Sequence, residues 1–260
     1  MVVTTPDRAG DSGASTFRLA YVPGVTPGKW VRIWEERQPD VPLELVALEV
    51  AECAGAIAQG SVQMAITRLP DALRHGDAGP HHTIELYEET TVVVVPKDHV
   101  LTAGDELTLA DLADEQILWP LDEPATGFDD PAGRPGTAVE HRPETTGDAI
   151  ELVAAGIGAL LVPQSLARLH HRKDLVYRPV TDAPTGTVGL LWPAPTTELA
   201  EEFIGIVRGR KATSSRGHSE PVPKRSAKEK AAAKRAAREA AGKVPGKSGR
   251  KKPGVRPKRR

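Results

Sequence analysis

Adjacent histidines, adjacent carboxylates, one cysteine and a dense run of Lys and Arg are the residues of this chain whose types invite chemistry. His81-His82 and His170-His171 have the donor chemistry of a metal site. Neighbours on a helix or strand point apart, however, so a metal would need partners that the sequence does not advertise. Glu88-Glu89 and Asp129-Asp130 read as solvated charges rather than as an acid/base pair. Cys53 is the only cysteine, which excludes an intramolecular disulfide and a cysteine metal cluster. Its place in VAECAGAI puts it on the apolar side of a helix, as a small buried hydrophobe rather than a reactive thiol. There is no G-x-S-x-G, no Walker loop, no H-E-x-x-H and no G-x-G-x-x-G after a strand. Gly156-Ile157-Gly158 precedes a strand instead of joining a strand to a helix, so it is no dinucleotide loop. The expectation is a protein that is not an enzyme and that uses no cofactor and no metal.

The basic run carries the other chemistry. The net charge of −1 conceals it: residues 211–260 hold 18 Lys and Arg against three Asp and Glu, leaving 16 against 32 in residues 1–210. The pattern is that of an acidic globular body with a polyanion-seeking tail. SAKEKAAAKRAAREAAGK has helix formers but no apolar stripe to dock. VPGKSGRKKPGVRPKRR is broken by Pro and Gly and is expected to be disordered when free. The composition resembles the Lys/Ala/Pro tails of linker-histone-like proteins. Candidate phosphate contacts are Lys224, Arg225, Lys234, Arg235, Lys251, Lys252, Arg256, Lys258, Arg259 and Arg260. Such charges release counterions from nucleic acid, giving non-specific, salt-sensitive association. A merely solubilising tail is the alternative, and DNA, RNA or another polyanion would serve equally as partner.

The elements that must position any site alternate strand and helix. Residues 1–15 are polar and read as a disordered leader. Strands are predicted at residues 17–22, 42–48, 62–66, 91–95, 116–119, 159–162, 175–179 and 187–192. Helical stripes lie between them: Trp30, Ile33 and Trp34, then Val50, Cys53, Ala54 and Ile57, and at the end Leu199, Phe203, Ile206 and Val207. Short helices are expected at residues 109–113, capped by Thr108, and at residues 164–169. Residues 68–83 and 120–143 read as loops, the second long enough to be functional or to hide structure. In AIELVAAGIGALLVP, residues 149–163, a helix ends at Gly156 in a C′ position and feeds a strand buried on both faces. This is an α/β chain with mixed, mainly parallel sheets.

That last segment resembles the "lvaaGlGiallP" stretch of LysR-type regulator effector-binding domains. FRLAYVPG, AQGSVQMAIT, VVVVPKDHVL and LTLADLA resemble further segments of the family in the same order, so the likeness covers about residues 17–208. Gln63 stands where the family usually has Asp. The resemblance implies the two-lobed type 2 periplasmic-binding-protein fold. Lobe I would comprise residues 16–87 and 185–210, lobe II residues 88–184, with crossings near residues 87–89 and 181–184. Only sixteen residues precede the first strand, fewer than the family's helix-turn-helix needs. The implied function is a small-molecule effector-binding domain of a LysR-like transcriptional regulator, acting as a homodimer. A free-standing solute-binding protein of a transport system shares the fold and is the alternative. The first fifteen residues lack the apolar core of a signal peptide and no run reaches the ~18 apolar residues of a membrane span, so the expected location is cytoplasmic.

In such folds ligands settle at the carboxyl ends of strands, beside helix N-termini whose free N–H groups suit a small carboxylate. That geometry selects Thr26 in the first loop, Thr67 and Arg68 after the third strand, Trp119 at a strand end, and Thr145 and Thr146 before the helix. Arg68 has two readings, a two-pronged carboxylate anchor or a surface arginine. Trp119 reads more readily as packing, and His99 as structural.

Overall fold

The computed structural model describes residues 16–70, 73, 80–122, 127–128 and 130–210. Strand β1 (Phe17–Tyr21) leads into helix α1 (Gly28–Arg37), strand β2 (Leu43–Ala47), helix α2 (Val50–Ala58) and strand β3 (Met64–Leu69). β1 lies between β2 and β3, parallel to both. The aromatic stripe explains how this layer closes. Trp34 stacks on Phe17 with ring centroids 4.5 Å apart, and Phe203 of the last helix, α5 (Glu198–Val207), meets both rings at 5.6 and 5.9 Å. Burying three such rings on one sheet face favours both helices packing there. The Trp34 indole keeps its N–H satisfied by donating to the Val41 carbonyl at 2.9 Å. Cys53 is buried on α2, on the apolar side where its spacing put it.

The chain then departs from the expected loop. β3 runs on to Leu69, and residues 81–89 form a strand, β4 (His81–Glu89), where a loop and a bare crossing were expected. Among the described residues β4 sits at the sheet edge, paired only with strand β10 (Gly186–Pro193). An edge strand can keep polar residues in water, so HHTIELYEE lacks the apolar run that marks a buried strand. β10 returns late in the sequence and inserts between β3 and β4, antiparallel to both. The pairing shifts register between Val188 and Gly189. A Cβ at Gly189 would fall 2.7 Å from the Ile84 carbonyl oxygen and against the Leu69 side chain, so only glycine fits this crossing of three strands.

The second sheet, in the order β7-β6-β8-β5-β9, is built from the intervening chain. β5 (Thr91–Pro96) carries the four valines and runs antiparallel between β8 (Ala159–Pro163) and β9 (Leu175–Pro179). β6 (Gln116–Leu118) is parallel to β8 and to a two-residue edge strand, β7 (Thr137–Ala138), which the long 120–143 loop conceals. Both sheets are thus mixed, with two parallel and two antiparallel pairings each. Helix α3 (Thr146–Ala154) ends at Gly156, whose φ of 76° is the left-handed conformation the sequence called for. Helix α4 (Gln164–Leu169) follows β8 directly. Residues 109–112 form a 3-10 turn rather than an α-helix, closed by the Thr108 and Asp111 side chains. His99 is structural: its Nδ1 accepts from the Leu101 N–H and its ring lies 3.4 Å from the Glu115 carboxylate.

The chain passes between the sheets twice, at Thr90 and again over residues 181–185. The two passages are tied together where Thr91 Oγ1 donates to the Pro184 carbonyl at 2.5 Å. Each sheet has its own buried core, the first around Phe17, Trp34 and Phe203, the second around the β5 and β8 residues on either face. Among the described residues, no helix is long and apolar enough to cross a membrane.

Candidate functional site

The carboxyl ends of the first-lobe strands and the α3–α4 side of the second lobe enclose a cavity of about 220 Å³. Arg68, from the end of β3, is one of its lining residues. The guanidinium Nε pairs with the Glu89 carboxylate at 2.8 Å, and a terminal nitrogen donates to Ser165 Oγ, on α4, at 3.0 Å. Both charged side chains are almost wholly buried, at 1% and 5% exposure. A pair this dry holds together because each ion supplies what burial takes from the other. Arg68 is therefore neither a surface arginine nor a free carboxylate anchor. It is an internal strut joining the end of β3, the end of β4 and the start of α4.

Thr145 and Thr146 also line the cavity, at the start of α3. Thr145 Oγ1 accepts from the Asp148 N–H at 3.1 Å, an ordinary N-cap. One of the N–H groups at this helix start is taken: Thr146 N–H donates to the Asp122 carboxylate at 2.7 Å, and its hydroxyl to the same group at 3.1 Å. Across the cavity the same arrangement recurs at α2. Glu49 and Glu52 form a capping box there, with Glu52 accepting from the Glu49 N–H at 2.9 Å. Glu49 lines the cavity while remaining in contact with solvent. Its partial burial, with Asp122 and then Glu52 nearby, holds its carboxyl above the usual range against the opposing pull of Arg68. Val50, Leu166 and Leu169 supply apolar wall, and His170 closes one side beside Gly147.

The other expected site residues stand off this wall. Thr26 is exposed on the first loop. Thr67, within β3, is buried at 2% exposure, and its hydroxyl donates to the Arg68 carbonyl at 3.4 Å. Trp119 packs edge-on to Phe128, with ring centroids 5.8 Å apart, under the Arg134 guanidinium 4.3 Å from its ring. It is core, as its packing reading had it. The ten basic residues of the tail lie outside the described residues. Of the histidine pairs, His170 reaches the cavity, while the His82 ring lies 5.6 Å from that of Trp192. No group of three or more His, Cys, Asp or Glu converges among the described residues. Glu49 and Asp122 were missed. Glu49 follows the carboxyl end of β2, so the strand-end rule applied to that strand would have found it; Asp122 sits in the loop that sequence patterning could not resolve.

The LysR substrate binding domain model matches residues 10–212. The chain is 30% identical over 176 residues to HTH-type transcriptional regulator AlsR of Bacillus subtilis, covering 65% of this chain and 54% of that protein. It is 30% identical over 186 residues to HTH-type transcriptional regulator CatR of Pseudomonas putida, covering 68% and 61%. The chain thus spans little more than half the length of these relatives, both of them transcriptional regulators. Among solved structures, the oxidised form of OxyR aligns with a TM-score of 0.62 at 20% identity, over 76% of this chain and 96% of that one. The BenM effector binding domain with its effector benzoate also aligns at 0.62 and 20%, over 75% and 91%. These two share the two-lobed fold. With the two mixed sheets, the cavity between their strand ends and the matched span taken together, the chain belongs to the LysR substrate binding domain family.

Proposed function

We propose that this chain senses a small molecule in the cavity between its lobes and acts as the effector-binding domain of a LysR-like transcriptional regulator. The cavity carries the reading: it lies where strand ends and helix starts of both sheets converge, and residues from both line it. Its volume of about 220 Å³ is below the ~300–1,000 Å³ of drug-sized pockets and suits a metabolite. Lobe I is assigned to residues 16–87 and 185–210, lobe II to residues 88–184. Arg68, Thr145 and Thr146 are the effector-site residues retained from the sequence, with Glu49 and Asp122 added. In this reading the protein is a cytoplasmic homodimer without enzymatic activity, and the basic residues 211–260 add non-specific association with DNA.

The test is a thermal-shift screen of small metabolites on the full chain and on Leu169→Trp. Leu169 is 55% exposed and lines the cavity, so a larger ring there fills the site without disturbing a core. A compound that raises the melting temperature of the wild-type chain and not of the variant supports the site. Equal shifts in both proteins would place the binding elsewhere.

A further inference from the structure

We infer that Gly24 and Ser165 form a stop that fixes the angle between the two lobes, with Arg68 locking it. The stop acts on the lobes themselves, whatever the cavity binds. Gly24 lies on the loop between β1 and α1, beside the first sheet, and Ser165 on α4, which follows β8 of the second. A Cβ added at Gly24 would stand 2.7 Å from Ser165 Oγ, 3.1 Å from Ser165 Cβ and 3.1 Å from a terminal nitrogen of Arg68. That nitrogen donates to the same Ser165 hydroxyl at 3.0 Å. Gly24 has a φ of 84°, the left-handed conformation that glycine adopts without strain. Backbone of one lobe thus rests on a side chain of the other at a distance that leaves no room for a methyl group.

Neither side of the contact is free to retreat. Val22 and Val25, on either side of Gly24, are buried, and Val22 N–H donates to the Ile66 carbonyl of β3 at 3.2 Å. On the other side, Gln164 N–H donates at 2.9 Å to the carbonyl of Thr90, where the chain first passes between the sheets. Leu166 is buried in the core of the second lobe. Ser165 is thus fastened beside the hinge, where a small displacement turns a whole lobe. Rotating its hydroxyl away from Gly24 would break the bond to Arg68, which Glu89 holds in place at 2.8 Å. Packed interiors transmit such crowding instead of absorbing it, so relief has to come from the angle between the lobes. Pro23, Arg68 and Leu166 line the cavity, and the same angle therefore sets its width.

Nitroxide labels on Ala51→Cys and His171→Cys in the full chain, read by electron paramagnetic resonance without any ligand, test this. Both residues are exposed and adjoin cavity-lining residues of opposite lobes, Val50 and His170. Cys53, the only native cysteine, is buried and out of the label's reach. Gly24→Ala has to open the contact toward the ~3.5–4.0 Å of ordinary carbon–carbon separation, so the dipolar coupling between the labels should weaken. Adding Ser165→Gly should restore the original coupling, because it removes the side chain that the new methyl group meets. Ser165→Val presses on the same contact without straining the Gly24 backbone and should weaken the coupling as well, which keeps the test decisive where Gly24→Ala fails to fold. Unchanged coupling in either folded variant would overturn the stop, since the loop or the helix would then have yielded. Weakened coupling in Gly24→Ala that Ser165→Gly leaves in place would also overturn it, by tracing the change to backbone strain alone.

Discussion

The Arg68–Glu89 pair shows how far a single residue's role depends on its burial. As sequence, an arginine after a strand is either a ligand anchor or a surface charge. The structure buries it to 1% exposure and spends its donors on Glu89 and Ser165. Arg68→Ala should therefore unfold the protein more easily, by about 3–5 kcal/mol, because it strands the Glu89 carboxylate in a dry site. Urea denaturation measures this, and a loss under ~1 kcal/mol would mean that the pair is solvated. Glu49 makes the opposite prediction. Its folded proton affinity is raised, so its charged form opposes folding above the ordinary glutamate range. The protein should lose stability relative to Glu49→Gln as pH rises from that range through the raised value, with the difference absent at lower pH. Parallel melting curves across that window would show that the carboxyl titrates normally.

At the scale of elements, legibility followed burial. β5, with four valines, and the helix–Gly156–β8 unit were plain because both faces of each strand are apolar. β4 was hidden because its edge position lets His, Glu and Thr alternate in water, and β7 because two residues make no pattern. Asp122 was hidden for another reason: it belongs to the long connection between β6 and β7, which carries no periodic pattern. The most exacting element is β10, whose Gly189 sits where Leu69 and the Ile84 backbone leave no space for a methyl group. Gly189→Ala should cost about 1–3 kcal/mol, the usual penalty of overpacking, and Gly156→Ala about 1–2 kcal/mol for a different reason, because nothing lies near its Cβ but its φ of 76° strains any L side chain. Thermal denaturation of the two variants ranks them. A milder Gly189→Ala would show that the bulge yields.

For the whole molecule, the two-lobed plan could be read because colinear segments kept their order along the chain, whereas no single segment specified it. Charge distribution was equally legible, and it divides the labour. Residues 1–210 hold 16 basic and 32 acidic residues, so that part of the chain should repel a polyanion at low salt. Residues 211–260 hold 18 basic and three acidic ones, with six of the basic residues in the last ten positions. If about six phosphates are neutralised, log Kobs should fall against log salt with a slope of about −5. DNA binding by the full chain, measured across a salt series on two unrelated sequences, should give that slope and equal affinities. Residues 1–210 alone, which hold every described element, should show no binding under the same conditions. Equal binding by the two proteins would place the DNA contact on the folded lobes, and a shallow slope would mean that the basic residues meet few phosphates. With the expected result, the effector cavity and the polyanion contact lie on parts of the chain of opposite charge.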